Sequence, residues 1–228
     1  MEDVTFIDFH SHILPGADHG SDSVKTSAVQ LSMAKAAGLE KIVATPHFYP
    51  NLHTVKDFLV RRNRAYQNLN MLAESKNIEV ILSAEVLLCE GIEELPDIDK
   101  LAVRGTNVLL IELPFSRVTN VMFDSVEALI KKGFNVVIAH ADRYKPADIE
   151  RVISLGAKIQ LNADALSGLL IRKHLKKWLT SGIVVALGSD IHGVNKKYYK
   201  RFVKAANRIK DFGVFKKCKN ILNEAQLV

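Results

Sequence analysis

Four glycines in this chain each stand just before an apolar, β-branched run of strand length: Gly38 before KIVAT, Gly133 before NVVIAH, Gly156 before AKIQLN and Gly182 before IVVALGSD. Glycine takes the left-handed conformation without a Cβ penalty, so each of the four reads as the stop of a helix. Near-continuous Val, Ile and Leu runs between helices are what strands buried on both faces look like, and they predict a parallel sheet of βαβ units. VTFIDF near the N-terminus, IEVILSAEV near residue 80 and NVLLIEL near residue 110 bring the count to about seven strands. Seven such units suit a closed barrel, so the expected fold is α/β, a distorted (β/α)7 TIM-like barrel; an open doubly wound sheet is the alternative. Helix starts are also legible. Ser21 or Asp22 is expected to cap a helix running to Ala37, Thr54 with Asp57 resembles a capping box, and Pro146 suits a first helical turn.

With 228 residues, 48% of them apolar, the chain can bury one sizeable core, and no Pro- or Ser-rich linker divides it, so a single domain over 1–228 is expected. No stretch approaches the length of uncharged apolar residues that a membrane span needs, and Met1-Glu2-Asp3 lacks the basic start of a signal peptide. A cytoplasmic protein that does not insert into membranes is expected. Cys89 and Cys218 lie far apart and read as ordinary thiols. The net charge of +6 is uneven: residues 196–219 hold ten Lys or Arg against Asp211 alone, which is +9 and leaves −3 for the rest. Such a stripe reads first as the solvated face of a C-terminal helix, and without aromatic stacking motifs it does not point to nucleic acid.

The metal-capable residues fall where the strands end. His10 and His12 follow VTFIDF, His47 follows KIVATP, Glu85 closes VILSA, Glu112 closes VLLI, His140 closes VVIA, and Asp190 with His192 follow VVALGS. Loops at the C-terminal face of β/α units converge on one cavity, so these eight side chains are expected to meet. In His-x-His and Asp-x-His, alternate residues of an extended segment project to the same side and can reach one ion. Each pair alone is weak, since a lone His is more often a hydrogen-bonded structural residue. Six of the eight histidines nevertheless lie in these segments or in the loop after the first. A mixed His and carboxylate set suits Mn, Fe or Zn, and a bridging carboxylate, for which Glu85 is the candidate, can hold two ions roughly 3.5–4 Å apart. Glu85 and Glu112 both interrupt apolar runs, where an unpaired charge would be costly.

Six stretches in order, IDFHSHILPGADHG, KIVATPHF, SAEV, LIELPF, VIAHADRY and GSDIHG, resemble the PHP (polymerase and histidinol phosphatase) superfamily, specifically its bacterial capsular-polysaccharide tyrosine phosphatases. The resemblance spans nearly the whole chain. It implies one PHP phosphoesterase domain with two or three divalent ions, manganese first and Fe, Zn or Mg as alternatives. It also implies a phosphotyrosine substrate on the tail of a tyrosine kinase of capsular or exopolysaccharide assembly. The implied ligands are His10, His12, His19, His47, Glu85, Glu112, His140, Asp190 and His192, with Arg143 beside the substrate phosphate and Asp190 and His192 catalytic as well. The chain departs from the pattern at Asp18-His19-Gly20, where the phosphatases usually read Asp-Asp-Gly; either His19 is an altered ligand or Asp18 turns inward. A second phosphate-binding arginine expected after Asp-x-His is missing, and Lys196 and Lys197 occupy that neighbourhood without the bidentate fork of arginine.

The expected chemistry is in-line attack on phosphorus by a metal-bridging hydroxide, with Arg143 gripping the equatorial oxygens. A cysteine-dependent route is excluded, because neither Cys89 nor Cys218 is followed six residues later by Arg. Three rivals are carried: a small phosphomonoester such as histidinol phosphate, a sugar phosphate or a nucleotide; a metal-dependent deaminase or amidohydrolase, whose later His pattern with a Lys is not found; and a non-catalytic metal-binding partner protein. Apolar residues from Phe115 to Phe123 are expected to pack the next helix.

Overall fold

A computed structural model describes residues 6–223, so the expectations placed on Met1-Glu2-Asp3 and on the first two residues of VTFIDF lie outside the described residues. The seven apolar runs all form strands: β1 (Phe6–Ser11), β2 (Leu39–Ala44) with β3 (His47–Phe48), β4 (Glu79–Leu82) with β5 (Glu85–Leu87), β6 (Val108–Glu112), β7 (Asn135–Ile138), β8 (Lys158–Asn162) and β9 (Val184–Gly188). Two of the runs are broken. Pro46 has no N–H to donate and Ser83-Ala84 leaves the ladder, but the broken segments stay in register: Ser83 N donates to Ala44 O at 2.9 Å and Glu85 N to Pro46 O at 3.1 Å.

All pairings are parallel, in two sheets of order β1-β2-β4 and β3-β5-β6-β7-β8-β9. The sheets are not closed into one continuous ladder, so the architecture is α/β with parallel sheets, and the seven-stranded barrel expected from the sequence is not what the ladder alone displays. Past the end of β9 the chain touches β1 through Asp190 N to His10 O at 2.8 Å and a parallel bridge between Ser11 and Ile191. The left-handed turn at Asp190 (φ 51°) interrupts regular pairing there.

Alternation along the strands sorts side chains into two buried groups. Leu109, Ile111, Val136 and Ile138 belong to the large core with the helices; Val108, Leu110, Val137, Val43 and Phe9 belong to a smaller one that also takes Cys218 and Leu222. Both faces of the sheet are dry, which is why the runs carry so little polar punctuation.

The connecting helices are α1 (Val24–Ala36), α2 (Val55–Ser75), α3 (Asn120–Lys131), α4 (Pro146–Ser154), the short α5 (Ala163–Leu166), α6 (Lys173–Ser181), α7 (Lys197–Ile209) and α8 (Val214–Asn223). Gly38, Gly133, Gly156 and Gly182 all have positive φ at or just past a helix end, as expected. Thr54 caps α2 through Asp57 N, and Pro146 opens α4. The cap of α1 is Ser23 rather than Ser21 or Asp22: Ser23 Oγ accepts from Thr26 N at 3.2 Å, while Asp22 accepts from Ser23 Oγ and Ser21 Oγ turns inward to Ser27 at 2.7 Å. Phe115 also departs from expectation. Phe123 packs into the core, but Phe115 is 67% exposed, at the edge of the site described next. Cys89 and Cys218 are free thiols, and among the described residues no helix is long and apolar enough to cross a membrane.

Candidate metal centre

The strand ends bring His10, His12, His47, Glu85, Glu112, His140 and Asp190 into one buried cluster, with His192 half-buried at its rim. Their ligand atoms form three overlapping groups, each within 4.8 Å: His12, His47 and His192; His10, His12 and Glu85; and His47, Glu85 and Glu112. Glu85 is the hub. Its Oε2 has His47 Nδ1 at 3.0 Å, His10 Nε2 at 3.2 Å and His12 Nε2 at 3.3 Å, yet it is buried and makes no hydrogen bond. Its Oε1 lies 2.7 Å from His140 Nε2, and Glu112 Oε1 is 3.6 Å from the same nitrogen. Asp190 Oδ1 stands 3.4 Å from His12 Nε2 and 3.7 Å from His10 Nε2. His47 Nδ1 is likewise buried without a hydrogen bond. Orphaned nitrogens and carboxylate oxygens facing a common point are the donor set that divalent cations take, so the residues fit a metal cluster.

The outer partners set which ring nitrogen faces the cluster. Gln160 Oε1 accepts from His140 N at 2.7 Å, which fixes the amide orientation, so His10 Nδ1 at 3.1 Å is the donor to it and Nε2 faces the cluster. His12 Nδ1 donates to Asp18 Oδ2 at 2.6 Å, and Asp18 is itself held by Gly20 N at 2.9 Å and His47 N at 3.0 Å. Such carboxylate-to-imidazole bonds orient metal-binding histidines and raise their basicity. Asp18 therefore turns inward. His19 is exposed at the rim, its ring stacked on His47 at 4.7 Å and tilted against His192 at 4.8 Å.

Charge follows the same logic. Burial alone would push His12 down, but its hydrogen bond to Asp18 and the neighbouring carboxylates of Asp190 and Glu85 raise it well above the ordinary imidazole value. His140 is raised to about 9 against its own burial, by Glu112 and Glu85. Burial works against the charge of Glu85 and Asp190 too, but His10 and its neighbours hold both far below the usual carboxylate range. The carboxylates demand positive charge, as protons on the rings or as metal ions. His192 is the exception: burial and the facing His12 push it down to about 4, and its Nδ1 donates to Asp190 O at 3.1 Å, leaving a neutral ring with Nε2 free.

Backbone geometry is adapted around these atoms. His140 (φ 31°) and Asp190 (φ 51°) sit in the left-handed region, which costs of order 1 kcal/mol for a non-glycine residue and is found at sites that are held by their surroundings. Gly20 and Gly188 are required for space, because a Cβ at the first would overlap His12 Cβ and one at the second would lie 2.5 Å from His10 Cβ.

Arg143, from the turn after β7, reaches Asp190 Oδ2 with Nη2 at 2.5 Å while its side chain remains 44% exposed. Lys196 and Lys197 are exposed at the start of α7. Several partners escape sequence reasoning: Asp8, Gln160, Asn162 and Ser189 are buried beneath the cluster, Asn162 Nδ2 donating to Asp190 Oδ2 at 3.0 Å. Asp8 accepts from Ser189 N at 2.8 Å, Ser189 Oγ at 2.6 Å and Tyr199 OH at 3.1 Å, and burial still pushes it up to about 6. The one signal for these residues is a polar letter inside an apolar strand run, as in AKIQLN.

The family model described as capsular polysaccharide synthesis, CpsB/CapC, matches residues 6–224. The chain belongs to this family. Within the CpsB/CapC family it is similar to tyrosine-protein phosphatase YwqE of Bacillus subtilis, 28% identical over 85% of this chain and 80% of that protein. It is also similar to tyrosine-protein phosphatase CpsB of Streptococcus agalactiae, 19% identical over 91% of each. A chain from the crystal structures of YwqE from Bacillus subtilis and CpsB from Streptococcus pneumoniae, described as unique metal-dependent tyrosine phosphatases, superposes with a TM-score of 0.74. That match is 22% identical and covers 97% of this chain and 93% of the other, so it establishes the shared fold.

Proposed function

We propose that this CpsB/CapC family member is a metal-dependent protein-tyrosine phosphatase, cytoplasmic, with a single PHP domain over 1–228 whose two parallel sheets are the parts of a distorted (β/α)7 barrel. The observation that carries the reading is the convergence of three imidazole nitrogens on the unpartnered Oε2 of Glu85, in a chain whose relatives bear the name tyrosine-protein phosphatase.

His10, His12, His47, Glu85, Glu112, His140, Asp190 and His192 would hold two or three divalent ions, manganese foremost, and His19 would close the mouth from its exposed position. When bound, such ions lower the pKa of water towards about 7 and neutralise phosphoryl charge. Arg143 grips the phosphate: one edge of its guanidinium is held by Asp190, and its remaining N–H groups face solvent at the rim. Asp190 thereby ties the phosphate clamp to the cluster, since its other oxygen faces His10 and His12. Phe115, parallel to the His140 ring at 6.0 Å, and Tyr49, parallel to His47 at 5.2 Å, give the mouth aromatic walls suited to a phenyl ring. Tyrosinate, with a pKa of about 10, leaves with little protonation. The thiols play no part: Cys218 is buried and pushed far up by burial, and Cys89 is raised as well. The substrate assigned by this reading is a phosphotyrosine protein, a tyrosine kinase of polysaccharide assembly.

Phosphate release from a phosphotyrosine peptide, after chelation and resupply of Mn²⁺, Fe²⁺, Zn²⁺ or Mg²⁺, tests the reading. Turnover restored by metal and abolished in His10→Ala is expected. Tightly bound metal without turnover would overturn it in favour of a small phosphomonoester or a binding role.

A further inference from the structure

Beside the metal centre, on the outer side of Arg143, lies a cleft of about 480 Å³ formed by the loop after β6, the start of α3 and the first turns of α4. Phe115, Arg117, Arg143, Tyr144, Lys145 and Arg151 line it, and Asp148 is the one acid among its lining residues. The cleft and the metal centre share a wall. Phe115 lies 6.0 Å from the His140 ring and 5.6 Å from Tyr144, and Arg143 pairs with Asp190.

Among the described residues many Lys and Arg form no ion pair, and three such cations meet in this one cleft. Elsewhere Lys41, Lys100, Lys131, Lys132, Lys177 and Arg201 each pair with a nearby carboxylate. Among the described residues, Arg117, Lys145 and Arg151 form no ion pair. Arg151 is nevertheless held in place: its guanidinium stacks 4.0 Å over the Phe123 ring, and Nη1 donates to Asn120 Oδ1 at 2.8 Å. An arginine ordered by an aromatic face and an amide, without a carboxylate, offers its remaining donors to an anion at a reduced entropic cost. The concave shape focuses the field of four cations along the path by which a polypeptide would leave the phosphate site.

We infer that this cleft is a subsite for acidic residues flanking the phosphotyrosine, with Arg117 and Arg151 setting sequence preference; the inference rests on the phosphatase reading. The Glu or Asp carboxylates of the substrate meet Arg117, Lys145 and Arg151 while the phosphotyrosine occupies the metal centre. Neither Arg117 nor Arg151 touches the reacting phosphate, so a substrate without flanking residues is indifferent to both.

The test compares p-nitrophenyl phosphate with phosphotyrosine peptides whose flanks, on either side, are acidic, uncharged or basic, using the metal-loaded full chain. The parent should show the lowest KM for an acidic flank, with the preference fading as salt is raised. Arg117→Ala with Arg151→Ala should raise that KM on the order of 10-fold, with kcat and the p-nitrophenyl phosphate kinetics unchanged. Arg117→Glu alone, in an exposed loop where folding is not at stake, should turn the preference towards basic flanks. Equal KM values for all peptides in the parent, or parallel loss on p-nitrophenyl phosphate in Arg117→Glu, would overturn the subsite while leaving the phosphatase reading intact. A parent that cleaves p-nitrophenyl phosphate but none of the phosphotyrosine peptides would overturn both.

Discussion

At the scale of single residues, the histidines of this centre are defined as much by the atoms behind them as by those in front. Asp18 and Gln160 select the ring nitrogen that His12 and His10 present to the cluster, so removing the acceptor charge should weaken metal binding without emptying the site. Asp18→Asn is expected to lower metal affinity roughly 10- to 100-fold, measured by competition with a chelating dye; an unchanged affinity would show that His12 needs no such partner. Asp190→Ala is expected to lose both bound metal and turnover, because Asp190 faces the cluster and anchors Arg143 at once. His174→Ala is the control. His174 packs edge-on against Trp178 at 5.0 Å, and metal content and turnover in that variant should match the parent. The alternation in His-x-His and Asp-x-His made these clustered side chains legible in the sequence, since residue type and spacing alone carry that signal. Asp18 was undecided and Gln160 unnoticed, because a residue that acts through another leaves no spacing of its own.

Among the elements, the starts of the helices differ in how far they can be read. Thr54 with Asp57 is a local device: the hydroxyl accepts from a backbone N–H three residues on at 3.1 Å and donates to the carboxylate at 2.7 Å. Thr54→Ala should cost about 1 kcal/mol in denaturant unfolding with turnover unaffected, and a loss several times larger would mean that the residue does more than cap. At α1 the same rules offered three adjacent polar residues. The choice of Ser23 depends on Ser21 being drawn inward, where its hydroxyl meets that of Ser27 and Ser27 in turn bonds Ile13 O at 2.7 Å. Phe115 illustrates the reverse case. It lies in an apolar stretch that reads as core, but the loop after β6 places it against His140 at the mouth. Hydropathy cannot distinguish an aromatic that packs a helix from one that walls a site.

For the whole molecule, the buried centre joins strands from both sheets: His10 and His12 come with β1, His47 and Glu85 with β3 and β5, Glu112 with β6 and Asp190 with the turn after β9. Ions that bind this arrangement and not the unfolded chain should stabilise the fold as a unit. At a free metal concentration of 100 times Kd, one site adds about 2.7 kcal/mol. Chelation should therefore lower the unfolding temperature reversibly in the parent and much less in Glu85→Ala, as read by calorimetry; equal shifts in both would argue that Glu85 is not the hub. By itself the sequence determined the seven apolar runs that form the parallel strands, their helical connections and the residues at the strand ends, because hydrophobic period, glycine stops and His or carboxylate spacing are local patterns. The tertiary structure alone decided how the strands split into two sheets at Pro46 and Ser83-Ala84, which way Asp18 and His19 face, and that Arg117 and Arg151 share a cleft with Arg143. Those outcomes depend on contacts between segments far apart in the chain, where the free energy of packing and of satisfying buried polar atoms selects among conformations that each segment alone would tolerate.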